Sequence, residues 1–68
     1  MDIRVQVGLK VKQLRNARGV SQEEFAFECD LHRTYISGVE RGVRNPTLTV
    51  LAKIAKALRV KPYELLTK

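Results

Sequence analysis

The sequence predicts an all-α chain, a compact five-helix bundle with two short helices joined by a tight turn at its centre. Three observations point there. Ser21 stands three residues before Glu24, the capping-box spacing, in which the hydroxyl accepts from a free backbone N–H and the carboxylate reaches back to the cap's own N–H. Val20 and Phe25 bracket the same cap as a hydrophobic staple, so two independent signals start a helix at Gln22. Elsewhere apolar residues recur at helical spacing, and no stretch shows the alternation of a strand, an internal repeat or low complexity.

The 68 residues suffice for one small domain, and a chain of this size buries only about 60% of its unfolded surface, so dimerisation would add needed stability. A net charge of +6 with a pI near 10.0 calls for an anionic partner without saying which. One cysteine makes no internal disulfide, which fits a cytoplasmic home. The N-terminus carries Asp2 and Arg4 among scattered valines, so neither a signal peptide nor a transmembrane segment is read there. One His and one Cys three residues apart, with no further ligand or base nearby, fall short of any standard catalytic or metal site. No cofactor, metal or small-molecule ligand is expected.

In order along the chain, the first helix runs from Ile3 to Arg18, with Val7, Val11 and Leu14 on one face and Lys10, Lys12, Arg15 and Arg18 on the others. Gly19 is placed to end it in a left-handed conformation, and Arg18 suits the negative end of the helix dipole. Gly8 inside that helix either permits a close approach or marks a frayed first turn. The second helix runs from Gln22 to about Cys29 and the third from about Arg33 to Arg41, with His32 as cap, Leu31 and Ile36 as a second staple, and Gly42 as stop. Cys29 falls where the core wants a small hydrophobe. After an irregular basic loop from Val43 to Pro46, Thr47 caps a fourth helix with an inner face of Leu48, Leu51, Ile54, Ala55 and Leu58. Its outer face, Lys53, Lys56 and Arg59, reads as a solvated surface. Pro62 opens a short fifth helix, Val60 and Leu65 form another staple, and Leu66 is left for an outward contact.

Counted from Gln22, Ala26 is fifth, Asp30 ninth, Ile36 fifteenth and Val39 eighteenth, the spacing of a helix-turn-helix. Two helices crossing over a short turn need a small residue at the contact, a turn residue tolerant of positive φ, and apolar residues inside the second helix. Ala26, Asp30 and the Ile36/Val39 pair supply these in turn, with Asp30 standing where glycine is the usual choice. The string GVSQEEFAFECDLHRTYISGVERGVRNP, Gly19 to Pro46, resembles the phage-repressor-like (XRE or Cro/repressor type) helix-turn-helix family. The likeness extends upstream through Leu14 and Arg15 and downstream through LTVLAKIAKALRV. Within that family, LHRTYISGVERGVRN is most similar to the small controller regulators of restriction–modification systems.

The resemblance implies a lambda-repressor-like DNA-binding domain whose third helix enters the major groove. The candidates for base contact are then His32, Arg33, Thr34, Tyr35 and Ser37. Arg33 is the best reader, since a guanidinium bonds bidentately to guanine O6 and N7. Gly38 lacks a side chain where many relatives place a reader. His32 is equally a cap, a phosphate contact or a spectator. The Tyr35 ring turns either onto the core or toward the sugar-phosphate wall; in the resembled controller proteins this tyrosine faces DNA. Phosphate contacts are implied for Gln22 at the start of the second helix and for Arg41, Arg44 and Asn45 around the following loop. Arg15 and Glu40 match the family's ion pair between the first helix and the end of the recognition helix.

The leading expectation is a homodimeric, autoregulatory transcriptional regulator on a pseudo-palindromic operator, with Val50, Tyr63 and Leu66 as dimer-interface candidates left over after the core is filled. The competing class is an antitoxin-like interaction module that masks a partner through helices four and five; the expectation that no toxin-binding segment follows Lys68 weighs against it. RNA binding lacks a stacking platform of exposed aromatics.

Overall fold

The computed structural model describes residues 2–67. It contains four α-helices, α1 (Ile3–Ala17), α2 (Gln22–Cys29), α3 (Arg33–Glu40) and α4 (Leu48–Leu58), then a 3-10 turn at Pro62–Leu66. The expected fifth α-helix is therefore corrected to this turn. Lys61 N–H is held by the Glu64 carboxylate at 2.6 Å, Glu64 N–H bonds back only three residues to the Lys61 carbonyl, and Thr67 is already extended. Five residues give too little room for an α-helical ladder to propagate, and a 3-10 turn satisfies the same groups within them.

Each helix starts where its cap demands. Ser21 Oγ accepts from Glu24 N–H at 3.0 Å while Glu24 accepts from Ser21 N–H at 3.1 Å, which completes the capping box. His32 serves as the cap of α3, its Nδ1 accepting from Thr34 N–H at 3.3 Å, and Thr47 Oγ1 caps α4 through Val50 N–H at 3.2 Å. At the start of α1 the cap is Asp2, whose carboxylate takes the Arg4 N–H at 2.8 Å. The Arg4 side chain and backbone hydrogen bonds hold that carboxyl down at about 2.

Asp30 does adopt the left-handed conformation (φ 57°, ψ 43°) that the turn between α2 and α3 requires. Arg59 does the same at the end of α4 (φ 61°), where the pattern of glycines held no hint of it. Gly8 is resolved in favour of close approach: a Cβ there would sit 2.8 Å from the Glu40 carbonyl oxygen and closer still to that of Val39. Bare backbone at Gly8 thus lets the C-terminal end of α3 lie directly on α1.

α1 packs on α3, α4 and the 3-10 turn, while α2 packs on α3 and α4. The core they enclose is filled by Phe25, Ile36, Ile54, Leu65, Val11 and Val39, each fully buried, with Val7, Ala26, Leu51, Ala55 and Leu58 around them. Leu48 does not join it. Although it continues the Leu51 and Leu58 stripe, it is 82% exposed, because the first turn of α4 overhangs the core and Leu48 there borders a shallow groove with Ile3, Pro46, Leu51 and Leu66. No helix among the described residues is long and apolar enough to cross a membrane.

Candidate nucleic-acid interface

Helix α3 is held from behind and bare in front. Ile36 and Val39 lie in the core, whereas His32, Arg33 and Thr34 are exposed and Ser37 half-buried on the outer side. Its C-terminal end is fixed by a buried ionic network. Arg15 donates from Nε to Glu40 Oε2 at 2.6 Å and from Nη2 to Oε1 at 3.0 Å, the parallel two-bond geometry that makes Arg–carboxylate pairs directional. Its remaining arm, Nη1, donates to the Val20 carbonyl at 2.8 Å, so one guanidinium joins α1, the lead into α2 and the end of α3. The hydrogen bonds to Glu40 raise the Arg15 pKa above its ordinary value.

Gln22 belongs to the same network: its amide donates to Glu40 Oε1 at 3.0 Å. An amide nitrogen carries two protons, so this bond leaves a second donor for an incoming anion. The link couples the start of α2 to the end of α3. Spacing along the chain held no signal for it, because the two residues are 18 positions apart and meet only through the crossing of the helices.

The loop after α3 folds back onto it. Val43 N–H and Arg44 N–H both donate to the Gly38 carbonyl, at 3.0 and 3.3 Å. The Arg44 side chain then runs across Gly38, and its guanidinium stands 5.7 Å from the centre of the Tyr35 ring, within cation–π range. Tyr35 is accordingly half-buried, with its ring covered by Arg44 as well as packed against the core. Arg41 and Asn45 are exposed, and Arg41 Nε reaches the Ser37 carbonyl at 3.4 Å. One continuous surface therefore carries Arg33, Thr34, Ser37, Tyr35, Arg44 and the loop.

The helix-turn-helix family model matches residues 11–65. The control protein C.BamHI of Bacillus amyloliquefaciens is 56% identical over 66 residues, covering 96% of this chain and 82% of that protein. The chain belongs to the helix-turn-helix controller family. Among solved structures, the restriction-modification controller protein C.AhdI from Aeromonas hydrophila superposes with a TM-score of 0.88 at 47% identity, covering 91% of this chain and 94% of that one. The controller protein C.Esp1396I, solved as a tetramer in complex with its natural 35 base-pair operator, superposes with a TM-score of 0.86 at 38% identity, covering 97% and 91%.

On this controller-family fold the residues expected at a dimer interface are not equivalent. Tyr63 and Leu66 stand out at 65% and 44% exposure, whereas Val50, expected on the outer side of α4, is half-buried against the core. It flanks the buried stripe of Leu51, Ile54, Ala55 and Leu58, and so meets the edge of the core. Leu48, Ile3 and Pro46 form instead an apolar border to the groove that Leu66 closes. Phe27 was not singled out by its sequence position and is 88% exposed. Glu23, Glu24 and Glu28 surround it, so the ring is no stacking platform for a polyanion.

Proposed function

We propose that the chain is a sequence-specific, homodimeric regulator of transcription that binds an imperfect palindrome in double-stranded DNA and controls its own operon within a restriction–modification system. The observation that carries this reading is the outer face of α3: side chains suited to base edges on a helix whose far side is locked by the Arg15–Glu40–Gln22 network. Rigid presentation of that kind is what base readout needs, since a reader misplaced by even 1 Å loses its hydrogen bonds. The likeness to control proteins and to an operator-bound structure supports the same conclusion.

In this reading Arg33 meets a guanine edge, Thr34 and Ser37 make single contacts beside it, and His32 stays with its cap. The second amide proton of Gln22, Arg41 and the exposed Asn45 grip the sugar-phosphate backbone. Tyr63 and Leu66 meet a second copy, which sets two recognition helices about 34 Å, or roughly 10 bp, apart. Catalysis has no place: His32 is engaged as a cap, and burial pushes the Cys29 thiol up to about 11. The protein acts in the cytoplasm, where its DNA is.

A gel-shift series against the duplex upstream of its own coding sequence, beside a random duplex of equal length, tests the proposal. Specific binding should persist at physiological salt, and the logarithm of affinity should fall linearly with that of salt, by about 0.9 per phosphate neutralised. Equal affinity for both duplexes, or a flat salt response, refutes it.

A further inference from the structure

We propose that Glu40 is a positioning residue for phosphate capture: it holds the Gln22 amide with one N–H turned to the protein and the other left for the DNA backbone. The inference rests on the reading that Gln22 meets a backbone phosphate. Glu40 lies nearly out of water, its side chain 2% exposed, yet it accepts from groups on two other helices. Its Oε2 takes Arg15 Nε at 2.6 Å, whereas Oε1 takes both Arg15 Nη2 and Gln22 Nε2, each at 3.0 Å. The two bonds from Arg15 already join α1 to the end of α3, so the third, from Gln22, has another use.

The chemistry of the three groups divides the task. A carboxylate paired with a guanidinium only accepts hydrogen bonds, so it fixes which way the Gln22 amide faces, with the NH2 toward Glu40 and the amide oxygen away from it. A phosphate is an acceptor too, and an amide turned the other way would meet it with an oxygen. Arg15 supplies the balancing charge, without which a carboxylate this near would repel the phosphate. Gln22 is half-buried, so its side chain is placed before DNA arrives and loses less freedom on contact. The carboxylate that seats the end of α3 therefore also aims the first side chain of α2, and base reading and phosphate capture share one anchor.

The test places a methylphosphonate, which removes one backbone charge, singly along the duplex upstream of the protein's own coding sequence and measures affinity at each position. At one phosphate per half-site wild type should lose about 10-fold or more, the scale of a hydrogen bond to a charged group. Gln22→Ala should abolish that penalty, and so should Glu40→Gln, whose amide can turn either face to Gln22. Arg41→Ala should keep it. A purely structural Glu40 would weaken every duplex alike and leave the penalty at this phosphate intact. Gln22→Lys supplies a rescue: an ammonium carries three donors and needs no orienting partner, so the penalty should return in Gln22→Lys/Glu40→Gln. Should Glu40→Gln fail to fold, wild type carrying labelled glutamine nitrogen decides by NMR. One of the two Gln22 side-chain N–H signals should shift on adding the duplex and not on adding the methylphosphonate form, while the other, held by Glu40, stays. If the penalty persists in folded Glu40→Gln, if no phosphate depends on Gln22, or if both N–H signals move alike, the inference falls while the proposed function stands. If wild type binds the unmodified duplex no better than a random one, both fall together.

Discussion

Removing one partner of the Arg15–Glu40 pair should come close to unfolding the protein. Both side chains are buried, and the pair is made by two hydrogen bonds of 2.6 and 3.0 Å, with a third from Arg15 to the Val20 carbonyl at 2.8 Å. In Arg15→Met the Glu40 carboxylate stays out of water with only the Gln22 amide against it, and stranding a buried charge in this way costs about 3–5 kcal/mol. At roughly 0.05–0.15 kcal/mol per residue, 68 residues hold only about 3–10 kcal/mol in all. The melting temperature should fall by about 12 °C or more, since each kcal/mol moves a domain of this size by about 4–8 °C. The double variant Arg15→Met/Glu40→Leu removes both charges and should recover about half or more of the loss, short of full recovery because the Val20 carbonyl and the Gln22 amide lose their partners. Urea unfolding followed by circular dichroism, at one fixed protein concentration because dimerisation is linked to stability, measures all three. A loss below about 1 kcal/mol in Arg15→Met, the level of a solvent-exposed pair, would refute the reasoning.

Gly8→Ala should destabilise by about 1–3 kcal/mol in the same assay, against the direction helix propensity predicts, because the new methyl meets the Val39 and Glu40 carbonyls; a stabilised variant would show that α1 and α3 can part at no expense. The Cys29 thiol should resist a disulfide reagent at pH 8 in the native protein and react at once in denaturant, and fast native labelling would contradict its burial. Its folded pKa, about 11, lies above the ordinary thiol value of 9.0, so the unfolded thiol releases its proton first on raising the pH. The stability it contributes is therefore complete below pH 9 and lost as pH rises toward 11, a decline that should vanish in Cys29→Ala. Tyr63→Asp and Leu66→Asp should each remain folded but sediment as monomers with much weaker operator binding; dimers in both cases would move the interface to other residues.

Local signals were enough for the elements themselves. The capping box at Ser21 and Glu24, the Thr47 cap, the glycine stop at Gly19 and the periodic apolar residues act over a few positions of chain, and physics of that range is written directly into neighbouring residues. The likeness of Gly19 to Pro46 to a known family extended that legibility to the Arg15–Glu40 pair, which spacing by itself could not have found. Where a short-range rule had a competitor, the sequence was insufficient. The Pro62–Leu66 segment carries helix-start signals but lacks the length to propagate, and Leu48 continues an apolar stripe past the place where there is core to meet it. Whether Gly8 was a defect or a contact was decided by the carbonyls of α3, which reach it from more than thirty positions away. The seat of Arg44 on Gly38 and Tyr35, and the hold of Gln22 on Glu40, arise only once the helices cross, because they join groups that share no periodicity and meet through the geometry of the loop and the turn. The sequence thus determined where α1 to α4 form and which face of α3 is free, and the tertiary structure decided which side chains on that face are held ready, since that depends on what the fold places beside them.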